Sequence, residues 1–160
     1  MTSMHFRKMN SGDVPVAFEI TLSGREKSFT REALAAVGIT EEFTVDVLDG
    51  TRSHEGWVCE SDGKVVGFAM GNKLTGELWI IAVLPEYEGK GIGSKLHTLA
   101  EDWFKAMGRK EIWLAVLQDI QKTAYAFFKK RGWTDDAMRG DFRTMKKVLV
   151  DSPTSEATGG

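Results

Sequence analysis

The stretch from Glu77 to Ala106 constrains this chain more than any other. An apolar run, Leu78-Trp-Ile-Ile-Ala-Val-Leu84, has the length of a strand and leads into Pro85-Glu-Tyr-Glu-Gly-Lys-Gly-Ile-Gly-Ser94. The turn opens directly into a segment in which Ile92, Leu96, Leu99, Ala100, Trp103 and Met107 recur at helical spacing, with Gly108 as a stop. A strand, a glycine-rich turn and an amphipathic helix with one apolar face form a layered α/β unit. Gly89, Gly91 and Gly93 let the backbone approach a ligand closely, and the first N–H groups of the helix have no partners within it and point outward as donors. Such a turn is built to hold an anion, a phosphate above all.

Spacing narrows the choice of anion. A dinucleotide fold requires Gly-x-Gly-x-x-Gly and an acidic residue at the end of the following strand. Here the pattern is Gly-x-Gly-x-Gly, and Glu111 opens the next strand, Ile112 to Leu117, at the wrong end to reach a ribose. A nucleoside triphosphate loop requires Gly-Lys followed by Ser or Thr, whereas Gly89-Lys90 is followed by Gly91. Neither pattern fits.

The segment resembles the GNAT superfamily of acyl-CoA-dependent N-acetyltransferases. Their signature, Arg/Gln-x-x-Gly-x-Gly/Ala, is matched by Glu88-Gly-Lys-Gly91-Ile-Gly93 except at its first position. Gln121-Lys-Thr-Ala124-Tyr-Ala-Phe-Phe128-Lys-Lys-Arg-Gly132-Trp133 is similar to a second family motif, Asn-x-x-Ala-x-x-Phe-Tyr-x-Lys-x-Gly-Phe. Two motifs in the right order, separated by a strand, are far more specific than either alone. The resemblance covers about the last two thirds of the chain and is weak from Thr2 to about Gly50.

What the resemblance implies is an α/β (α+β) fold, a mixed and mostly antiparallel central sheet flanked by helices. It also implies acetyl-CoA as acyl donor, a primary amine of a small molecule or peptide as acceptor, and no metal. Gly89, Lys90, Gly91, Ile92, Gly93 and Ser94 would surround the phosphates. The backbone of Ile81, Ala82 and Val83 would hydrogen-bond the pantetheine arm, with Gln121 in place of the usual Asn, and Phe127 and Phe128 would lie against the coenzyme. Glu77 stands where some members carry a catalytic glutamate, and an apolar neighbourhood would raise its pKa toward that of a useful base.

Two departures from the family pattern bear on chemistry. Glu88 places a like charge near the pyrophosphate, but an exposed charge pair costs only about 1 kcal/mol in water, whereas each hydrogen bond to a charged oxygen contributes about 1.5–3 kcal/mol. The amides outweigh the acid, and Lys90 and Lys95 offset it further. Phe128 occupies the position of the family's tyrosine, which protonates the leaving sulfur. A thiol has a pKa near 8.5 against about 10 for an alkyl amine, so thiolate leaves tolerably without an acid. Tyr125, one turn earlier, is the only nearby phenol and a weak, displaced substitute as the catalytic acid; it reads more readily as a packing residue. These departures also leave open a catalytically silent acyl-CoA-binding module.

Composition excludes several other classes. With 160 residues the chain can bury about 70% of its extended surface in one core, so one domain is expected over residues 1–150, followed by a Ser/Thr/Gly-rich, disordered tail at 151–160. A net charge of −2 argues against nucleic acid as a partner. The lone Cys59 cannot form an internal disulfide, no metal-ligand spacing occurs, and the N-terminus has no apolar signal core. No run is long enough to span a bilayer, so a cytoplasmic protein is expected, with room for a homodimer.

The remaining chain fits this frame. His5 to Met9 reads as a first strand, Asn10 to Asp13 as a turn and cap, then a helix to about Leu22 and further helices over Arg31–Val37 and Glu41–Leu48. Trp57–Glu60 and Lys64–Met70 flank Asp62-Gly63, a hairpin signal, and a turn over Gly71–Gly76 precedes the Glu77 strand. Asp119 is placed to cap the later helix, whose last-turn Lys129, Lys130 and Arg131 suit its dipole, and a hairpin, Trp133–Met138 and Phe142–Leu149, completes the sheet. His5, His54 and His97 read as surface or packing residues, as do the five tryptophans, and Arg139-Gly140-Asp141 reads as the last hairpin's turn.

Overall fold

The chain runs β1 (Met4–Lys8), α1 (Val14–Leu22), α2 (Arg31–Ala36), α3 (Glu41–Asp49), β2 (His54–Ser61), β3 (Lys64–Asn72), β4 (Glu77–Val83), α4 (Ile92–Ala106), β5 (Glu111–Leu117), α5 (Lys122–Lys130), β6 (Thr134–Arg139) and β7 (Phe142–Val148), with short 3-10 turns at Ser11–Asp13 and Pro85–Tyr87. This computed structural model describes residues 3–23, 30–36, 38–50, 53–117, 122–140 and 142–149. Asp119, Gln121, Asp141 and the tail 151–160 lie outside them.

Local chemistry sets the element boundaries. The Asp13 carboxylate accepts the Asn10 amide at 2.9 Å and two guanidinium N–H groups of Arg7, each at 2.9 Å, while Arg7 Nε donates to Glu60 at 3.0 Å. Burial opposes ionisation of Asp13, but these hydrogen bonds and the Arg7 charge outweigh it and hold the carboxyl below its usual range. Two ion pairs of Arg7, with Asp13 and with Glu60, therefore tie the entry to α1 to β1 and β2. Thr40 caps α3 by accepting the Phe43 amide at 3.1 Å. Asp62 and Gly63 adopt φ of 52° and 83°, the two left-handed positions of a primed hairpin turn. The next turn starts later than the sequence suggests, because Gly71 and Asn72 belong to β3 and the chain reverses over residues 73–76.

The seven strands among the described residues form one sheet in the order β1-β2-β3-β4-β5-β7-β6. Every adjacent pair is antiparallel except β4 and β5, which are joined by the α4 crossover and run parallel. One face carries α4 and α5 over a core that includes Leu78, Leu96, Phe104, Leu114, Trp133 and Met145. The other carries the N-terminal helices over Val14, Phe18, Ile20, Val58, Phe68 and Met70. Small residues on β3 set how closely α4 approaches: a Cβ on Gly71 would stand 2.8 Å from Phe104 Cζ, and one on Gly67 would stand 3.2 Å from Ile92 Cγ2. Among the described residues no helix is long and apolar enough to cross a membrane.

Candidate active site

Strand register opens the site. β4 and β5 share a single residue pair, Glu77 with Trp113, beside a hydrogen bond from the Trp113 amide to the Gly76 carbonyl at 3.1 Å. Among the described residues the two strands share no further pair and splay apart toward their C-terminal ends. A bulge sets which groups face the gap. Met70 opposes Ile80 and Gly71 opposes Leu78, so Trp79 has no residue opposite it. The Leu84 amide donates to the Val66 carbonyl at 2.9 Å. Alternation then directs the backbone of Ala82 and Ile80 toward β3 and that of Ile81 and Val83 into the gap. Ile81 and Val83 thus present strand N–H and C=O groups without strand partners among the described residues, and Ala82 contributes to the wall.

A groove of about 520 Å³ occupies the splay. It runs past Ile81 and Val83, which pack with the α4-side core, and past Ile80 and Ala82, which pack with the core beneath α1, where Ile20 and Thr21 close it. Ala124, Phe127 and Phe128 of α5 form the opposite wall. The groove therefore connects the two faces of the sheet.

At its mouth the chain from Glu88 to Ser94 turns into α4. Gly89 and Gly91 sit at φ of 79° and 85°, Gly91 as the N-cap, and a Cβ on either would meet nothing within 4 Å. These glycines are required by conformation, and the space in front of them is open to a ligand. Gly93 has a different reason, since a Cβ there would lie 3.2 Å from Phe127 Cε1. Its absence lets α5 close against the first turn of α4.

The expected site residues divide. Ile81, Ala82, Val83, Gly89, Gly91, Ile92, Gly93, Ser94, Phe127 and Phe128 all line the groove. Lys90 is in the turn but exposed and not in the wall, and Gln121 lies outside the described residues. Tyr125 is on the far side of α5, where its hydroxyl donates to both Asp135 oxygens at 3.0 and 3.1 Å and its ring faces Lys129 and Arg143. Phe128 is buried, its ring 5.5 Å from Trp133 and 6.3 Å from His97. Glu77 is half-buried at the closed end of the splay, about 10 Å of strand from Ile80. Because Leu78 packs beneath α4, Glu77 points to the opposite face, and burial raises its carboxyl pKa. His54 lies against Trp79 at 4.8 Å, with burial lowering its pKa, and does not line the groove.

Sequence reasoning missed Arg131, Ile20, Thr21, Ile80, Tyr87, Thr123 and Ala124 as lining residues. In the sequence Arg131 reads as a last-turn cation suited to the helix dipole, and Ile20 and Thr21 lie on a segment without a recognisable motif. His97, expected at the surface or in packing, is buried and accepts the Trp133 indole N–H on Nε2 at 2.9 Å.

The sequence model of the acetyltransferase (GNAT) family matches residues 19–133. The chain belongs to the GNAT acetyltransferase family. An uncharacterised N-acetyltransferase of Methanocaldococcus jannaschii is 31% identical over 110 residues, 61% of this chain and 47% of that protein. N-alpha-acetyltransferase 30 of Schizosaccharomyces pombe is 30% identical over 92 residues, 58% of this chain and 57% of that protein. The alignments thus span about half the length of these relatives. The GNAT fold is also that of the PaiA N-acetyltransferase of Thermoplasma acidophilum in complex with coenzyme A, with a TM-score of 0.77 at 22% identity over 91% of this chain and 99% of that one. Ard1 of Thermoplasma volcanium superimposes with a TM-score of 0.73 at 20% identity, over 92% and 99% of the two chains.

Proposed function

We propose that this GNAT protein transfers an acetyl group from acetyl-CoA to a primary amine of a small molecule or peptide, by direct attack of the amine on the thioester. The observation that carries the reading is the continuity of one groove from the glycine turn, through the β4–β5 splay, to the opposite face of the sheet. The residues fit the donor. The outward amides at the start of α4 suit its pyrophosphate, the Ile81 and Val83 backbone suits the amide groups of a pantetheine arm, and the Ala124, Phe127 and Phe128 wall suits its apolar length. The coenzyme-bound structure of the T. acidophilum relative supports the same reading.

An acceptor entering from the α1 face would meet the thioester beyond Ile80 and Ile81. Glu77 is the carboxylate of the β4 edge on that face, and its raised pKa makes it a stronger base than an ordinary glutamate. At about 10 Å of strand from Ile80 it acts through a chain of waters rather than by direct contact. Tyr125 is held by Asp135 away from the groove, so the thiolate leaves without a protein acid. The test is release of free thiol from acetyl-CoA across a panel of amines, amino acids, polyamines and peptides. Turnover with one acceptor class supports the enzyme, and coenzyme binding without turnover on any of them contradicts it.

A further inference from the structure

Arg131 is the only cationic side chain in the wall of the groove among the described residues. It falls on an unspecified position of the second family motif, between Lys130 and Gly132. Its guanidinium carbon lies 3.5 Å from the centre of the Phe127 ring, Nη1 donates to the Phe127 carbonyl at 2.9 Å, and Nη2 donates to Ser94 Oγ. Ser94 is the third residue of α4, so the guanidinium is pinned beside the amides that open this helix. Every one of these partners is uncharged. Among the described residues Arg131 has no carboxylate partner, and burial alone acts on its pKa, lowering it. A partly desolvated cation stacked on an aromatic ring carries a charge for which its partners among the described residues, all neutral, supply no counter-charge.

Glu88, at the mouth of the same groove, stands where the family motif has Arg or Gln. We propose that Arg131 takes over the role of that missing residue and binds the phosphates of the acyl donor at the first turn of α4. The inference rests on the reading of the groove as an acetyl-CoA site and adds to it the residue that sets its charge. The stack on Phe127 holds the guanidinium plane before the ligand arrives, so the remaining N–H groups engage phosphate oxygens with little further ordering. Glu88 is tolerated because the charge it replaces is supplied by the residue that follows α5.

The test is the dissociation constant of acetyl-CoA, measured calorimetrically at low and high sodium chloride for the wild type, Arg131→Gln, Arg131→Lys and the double variant Glu88→Arg/Arg131→Gln. Arg131→Gln should weaken binding about tenfold at low salt and flatten the salt dependence, because one phosphate-facing charge is gone. Arg131→Lys should recover part of the loss, and Glu88→Arg should restore affinity in the Arg131→Gln background by returning the charge to the family's position. Melting temperatures of the free proteins separate a folding defect from a binding one. If Arg131→Gln binds as tightly as the wild type with the same salt dependence, Arg131 serves only to pack Phe127 and the proposal fails while the coenzyme reading stands. If Arg131→Gln fails to fold, Arg131→Lys decides the matter: near-wild-type affinity with the wild-type salt dependence supports the charge role, and an about tenfold loss at low salt despite the retained charge overturns it. Failure of the wild type to bind acetyl-CoA overturns both.

Discussion

At the scale of single residues, two titrating groups give opposite and measurable signs. Burial raises the Glu77 pKa, so the carboxyl keeps its proton to a higher pH than usual and becomes a base only above that raised value. Turnover of a genuine acceptor should therefore rise with pH through that titration. Glu77→Gln should lose the acidic limb and about 10²-fold in rate while leaving the KM for acetyl-CoA unchanged, and wild-type turnover in the variant would leave Glu77 without a catalytic role. His97 works in the other direction. Burial pushes its imidazole down to about 4, with Lys147 and Arg131 adding to the effect and Glu101 opposing it. An unfolded histidine takes up its proton near pH 6.5 and the folded one only near 4, so the unfolded chain binds more protons in that window. This group's contribution to stability is complete above about pH 6.5 and is lost as the pH falls toward about 4. His97→Gln retains an acceptor for the Trp133 indole and removes the titration, so its melting temperature should fall less steeply than that of the wild type across this interval. Equal slopes would show that His97 does not carry the effect.

Between elements, the decisive distances are those at which helices meet the sheet. Gly71 admits Phe104 so closely that an added methyl would force a shift of the ring or of α4. Gly71→Ala should cost about 1–3 kcal/mol by overpacking, measured by denaturant unfolding, and a neutral result would mean that α4 rides higher on β3 than this packing requires. These contacts also explain what could be read from the chain alone. The Asp62-Gly63 turn, the α4 periodicity and the two glycine-containing motifs are local signals and led directly to the hairpin, the crossover helix and the anion-binding turn. Gly93 was legible as a site residue but not for its physical reason, which lies in Phe127, 34 positions away. Trp79's bulge and the stacking of Arg131 on Phe127 depend on register and on helix placement, which no window of sequence contains. Tyr125 shows the same limit, since only the position of β6 reveals that Asp135 holds its hydroxyl away from the groove.

For the whole molecule, the single parallel pairing in an otherwise antiparallel sheet produces the functional feature. Two antiparallel blocks, β1 to β4 and β5 with β7 and β6, meet at one residue pair, and the wedge between them is the groove. Ligand bound in that wedge would touch both blocks and stabilise the molecule as a unit. At a hundredfold excess over its dissociation constant a ligand adds about 2.7 kcal/mol, which for a chain of this size raises the melting temperature by roughly 5–10 °C. The most direct measurement is therefore the thermal unfolding of the wild-type chain with acetyl-CoA, ATP or NAD at equal millimolar concentration. A shift of that size with acetyl-CoA and none with ATP or NAD is predicted; no shift with acetyl-CoA, or an equal shift with the other nucleotides, would contradict the assignment of the groove.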